Sequence, residues 1–95
     1  MSDHREAAQA HVNALVALLQ VQLAGELRVK LIAECEALSV AIRAFHMEGI
    51  RFRMFNVDRQ LAASGASEAA RREFAAARQE LEAAGFHTRS HSAPG

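Results

Sequence analysis

The chain has 95 residues, 11 basic and 11 acidic, for a formal net charge of zero, and 51% of it is hydrophobic. Such a length holds one domain at most, and balanced charge argues against a dedicated nucleic-acid binder. The apolar content excludes an intrinsically disordered chain.

The first predicted element runs from about Asp3 to Ala24. Val12, Leu15, Val16, Leu19 and Leu23 recur at helical spacing and form one face. Leu18 and Val21 lie outside that face, and the strongly polar stripe of Gln9, Asn13 and Gln20 is narrow. A helix this apolar around its girth asks for burial on more than one side. A short chain is often completed by a second copy. The sequence therefore predicts an oligomer interface at Val12, Leu15, Leu18, Leu19 and Leu23. The longest apolar stretch, Val12–Ala24, is broken by Asn13, Gln20 and Gln22 and is too short to cross a bilayer, which takes about 20 apolar residues. Asp3 and Glu6 beside Arg5 remove the positive flank that a signal peptide needs.

The second element begins near Glu26, where Leu27, Leu31, Cys35, Leu38, Ile42 and Phe45 form a helical stripe that fades near Gly49. Ile50, Met54, Val57 and Leu61 form the next stripe, about a third of a turn around from the first. Either one long helix passes through Gly49, or Gly49 breaks it. The alternation Ile50-Arg51-Phe52-Arg53-Met54 leaves a second option, a short strand at about 50–57. It would pair with 86–90 or with its own copy.

Ser64–Ser67 is a loop signal. The last helix is expected at about Ser67–Ala84. Ser67 is a good N-cap, Glu68 suits the first turn, and Glu68 with Arg72 is an i,i+4 pair. Ala70, Phe74, Ala77, Leu81 and Ala84 form its apolar stripe. Gly85 suits the position after the helix, with Phe86 folding back on Leu81 in a Schellman-type stop. The stripes Ile50–Leu61 and Ala70–Ala84 are matched in length, which predicts an antiparallel helical hairpin. The expected organisation is one helical domain over 1–86, a flexible tail over 87–95, and a mainly α fold that dimerises into a bundle.

The sequence offers little chemistry. Cys35 is the single cysteine, so no intramolecular disulfide forms and a reducing, cytoplasmic setting is expected. It lies on the apolar stripe between Glu34 and Glu36, an unfavourable place for a reactive thiol. His87 and His91 are the one histidine pair at i,i+4 spacing, yet they sit in the tail with no further ligand beside them. No metal or cofactor is expected. Phosphate-loop, dinucleotide and zinc-finger patterns are absent, and Glu34/Glu36 and Glu80/Glu82 would point apart on helices. The expectation is therefore a non-enzyme. Ten of the 11 basic residues are Arg and Ala is abundant, a composition associated with bacterial genomes rich in GC.

Arg43, His46, Arg51, Arg53 and Arg59 make the middle of the chain locally basic, interleaved with Phe45, Phe52 and Phe55. Such mixing can hold an anion or single-stranded nucleic acid. Its ordinary meaning is a solvated, salt-bridged face beside core aromatics. On a helix Arg51 and Arg53 stand about 160° apart; on a strand they share a face. The sequence reading is a homo-oligomeric helical module that binds another protein. A small DNA- or RNA-binding regulator using the central Arg residues is the alternative.

Overall fold

The computed structural model describes residues 3–86. Among these the chain forms four helices and no strand: α1 His4–Gln22, α2 Gly25–Ala44, α3 Met47–Ser64 and α4 Glu68–Ala83. The strand alternative at 50–57 is thereby overturned. Ile50, Met54, Val57 and Leu61 are all buried, as a helical repeat requires. Helical hydrogen bonds satisfy that segment's backbone internally, so it needs no partner strand.

Local sequence explains most helix ends. The Asp3 carboxylate accepts from the Arg5 amide at 2.9 Å and caps α1. Extended Leu23 and Ala24 lead to Gly25 at φ +66, and α2 begins there. Ser67 Oγ accepts from the Ala70 amide at 3.1 Å and caps α4. At the far end of α4, Gly85 takes φ +107. Its amide donates to Glu82 O at 3.0 Å, and the Phe86 amide donates to Leu81 O at 2.9 Å. This is the expected Schellman stop, and Phe86 is fully buried.

The break between α2 and α3 is not at Gly49. It falls at Phe45, which adopts the left-handed conformation with φ 50. The Phe45 amide donates to Ile42 O at 2.9 Å and the His46 amide to Ala41 O at 3.0 Å, a Schellman stop without glycine. That backbone is costly for a bulky residue. The half-buried ring packs on the core in return, and the Arg5 guanidinium lies 5.6 Å from its centroid. His46 then caps α3: its Nδ1 accepts from the Gly49 amide at 3.0 Å. Gly49 lies in the first turn of α3, where an added Cβ would stand 3.0 Å from His46 Nδ1 and 3.4 Å from Ala41 Cβ.

Side-chain pairs between helices give their directions. His4 and His11 approach Glu80 and Glu73 at 2.7 and 2.8 Å, and Ser67 donates to Gln22 at 2.8 Å, so α1 and α4 run antiparallel. Gln9 donates to Ser39 O at 3.1 Å and Arg28 to Gln20 O at 3.4 Å, which sets α1 against α2. Arg53 reaches Glu34 at 3.1 Å, setting α2 against α3. α4 packs chiefly on α1, α1 also on α2, and α2 on α3. α3 and α4 are antiparallel, as a hairpin should be, but they stand apart. Arg78 reaches Asp58 at 3.9 Å across the gap.

This arrangement revises the interface predicted on α1. Val12, Leu15 and Leu19 are buried inside the chain, and Leu18 and Leu23 are partly buried against the same core. The packing of α2 and α4 on α1 thus covers Val12, Leu15 and Leu19 within the chain, while Val21 on the same helix stays 85% exposed. Leu27, first on the α2 stripe, is 41% exposed. No helix among the described residues is long and apolar enough to cross a membrane. The expectations for the tail over 87–95, including His87 and His91, lie outside the described residues.

Candidate interaction surface

Burying Ile50, Met54, Val57 and Leu61 turns the opposite side of α3 to solvent. That side carries Phe52 and Phe55, which are 57% and 58% exposed. Next to them, where α3 and α4 fail to close, lies an open groove of about 450 Å³. Glu48, Arg51, Phe52, Met54, Phe55, Asp58 and Arg78 line it.

The groove has a charged rim over an apolar floor. Arg51 pairs with Glu48 at 3.1 Å, and Arg78 with Asp58 at 3.9 Å. Such partly exposed pairs add little stability, but they fix where the long side chains lie. The Arg51 guanidinium stands 5.9 Å from the centroid of Phe86, the ring anchored by the α4 stop. Its Nε is buried with no hydrogen-bond partner among the described residues. Arg53 lies 5.1 Å from the Phe52 centroid and Arg59 5.6 Å from that of Phe55. Each exposed ring therefore carries a cation near it.

The five candidate anion contacts do not converge. Arg51 turns toward α4, whereas Arg53 turns toward α2 and is held by Glu34. The wide separation expected of these two residues on a helix is what the structure shows. His46 is occupied as the cap of α3. Arg43 lies in the last turn of α2, a favourable place for a cation, beside a separate hollow of about 200 Å³ between α1 and α2. Arg59 is exposed near Asn56, Gln60 and Ala63.

Cys35 is fully buried. Burial, and then the neighbouring Glu34 and Glu36 charges, push its thiol up to about 12. It is a small apolar core residue at neutral pH. Among the described residues no group of three or more His, Cys, Asp or Glu side chains is placed to hold a metal.

Phe52 and Phe55, expected as core aromatics, stand instead on the surface. The signal was present: about 200° and 140° separate them from Ile50 around the helix. The His4–Glu80 and His11–Glu73 pairs had no local signal, because they depend on α4 folding back onto α1. No family model matches the chain, and no curated protein or solved structure matches it.

Proposed function

We propose that this is a non-catalytic helical module that self-associates and docks another protein, in a reducing, cytoplasmic setting. The observation that supports the reading is the open apolar groove between α3 and α4, with Phe52 and Phe55 more than half exposed on its edge. Buried aromatic anchors inside a polar rim are the usual energetic centre of a protein interface. Contiguous exposed apolar surface of this kind is uncommon without a use.

The nucleic-acid alternative requires several cations on one face. Arg51 and Arg53 point to different helices, and each already has a carboxylate partner. Geometry therefore favours the protein-binding reading.

Light scattering on the full chain at micromolar concentration tests it. The expected mass is at least twice the 10.3 kDa of one chain. That mass should change little between about 50 and 200 mM salt, a range over which phosphate contacts lose about a thousandfold or more in affinity. A single-chain mass refutes self-association. Tight, salt-steep binding to mixed duplex and single-stranded DNA that Arg51→Ala with Arg53→Ala abolishes would replace the reading with the alternative.

A further inference from the structure

The solvent-facing ridge of α3 carries four residues whose spacing is the same in both directions, with opposite charges at its two ends. Phe52 and Phe55 stand at its centre. Glu48 precedes Phe52 by four residues, and Arg59 follows Phe55 by four. On a helix these four side chains fall within about 60° of arc, along about 16 Å of axis. The ridge lies opposite the buried Ile50–Leu61 stripe. Both rings are more than half exposed, and the Glu48 side chain is 83% exposed despite its contact with Arg51. Arg59 makes no ion pair among the described residues and lies beside the Phe55 ring.

Such a ridge complements itself. When two copies meet along α3 in antiparallel fashion about a two-fold axis, Phe52 faces the partner's Phe55. Glu48 then faces the partner's Arg59, and the symmetry repeats both contacts. The opposite, parallel arrangement would set Glu48 against the partner's Glu48 and Arg59 against the partner's Arg59. Charge thus selects both the occupant and its direction.

We infer that the α3 ridge Glu48–Phe52–Phe55–Arg59 is the face through which a second copy of this chain docks, antiparallel and two-fold symmetric. This rests on the self-association proposed above and names the surface that performs it.

Charge reversal tests the ridge directly. Glu48→Arg alone, or Arg59→Glu alone, should weaken the dimer about tenfold, because each makes both end contacts repulsive. Mixing the two single variants should restore a dimer of one chain of each kind, and so should both reversals in one chain. Phe52→Ser with Phe55→Ser should leave single chains at micromolar concentration. Circular dichroism should show the helix content of each variant unchanged, and restoration on mixing separates an interface effect from unfolding. A dimeric wild type whose single reversals dimerise as well as the parent, or whose mixture is no tighter than either alone, overturns the ridge and leaves self-association standing. A monomeric wild type, with the face left to a different protein or to the chain's own residues 87–95, overturns both.

Discussion

α4 has α1 on one side and α3 on the other, and the two sides are built from different side chains. Against α1 the core includes Ala8, Ala70 and Ala77, all fully buried, while the two His–Glu pairs bridge the rim at 2.7 and 2.8 Å. Against α3 stand Arg51, Met54, Phe55 and Arg78, and a groove remains. Alanines let helix backbones approach to the near end of the usual 8–10 Å range, whereas long charged stems hold them apart. A matched pair of stripes does not decide which helices close. Side-chain size along each flank does.

Leu15→Ala in α1 and Leu81→Ala in α4 should each cost about 2–5 kcal/mol in urea melts, because both are fully buried. Phe52→Ala or Phe55→Ala on the open side should cost about 0.5 kcal/mol or less, measured at concentrations too low for copies to associate. Arg72→Ala, on the exposed face of α4, is the matching control and should also stay within about 0.5 kcal/mol. Equal losses at Leu15 and Phe52 would mean that the groove side is as tightly packed as the α1 side.

Burial of Cys35 makes the stability of the core depend on pH. Its thiol is raised from 9.0 to about 12 in the fold, so between those values the unfolded chain holds fewer protons than the native one. The stabilising effect is fully present below about pH 9 and is lost as pH rises toward 12, at up to about 1.4 kcal/mol per pH unit. Cys35→Ala should flatten that part of the stability curve, whatever constant offset its smaller side chain adds. Urea melts of both proteins over this range report the difference, and parallel curves would place the thiol in water.

An effect local to one helix end lies at the start of α3. His46→Ala removes the acceptor for the Gly49 amide and should cost about 1 kcal/mol. Hydrogen exchange should quicken in the first turn of α3 while the α1–α4 core keeps its protection. Uniform quickening would show that the open side unfolds together with the closed one.

By itself the sequence determined the four buried stripes, the cap at Ser67 and the stop at Gly85 and Phe86. Each of these depends on neighbours within a turn or two, where spacing and residue type act directly. The α2–α3 break escaped it, because Phe45 takes a left-handed backbone that its own preference opposes and tertiary packing permits. The candidate site was half legible: the angle between Phe52, Phe55 and Ile50 already turned the rings away from the stripe. Whether another helix would cover them was not legible. Only the tertiary structure decided that α4 packs chiefly on α1 and leaves the Phe52–Phe55 ridge open. That choice depends on contacts between residues some sixty positions apart, such as His11 and Glu73, for which no local periodicity carries a signal.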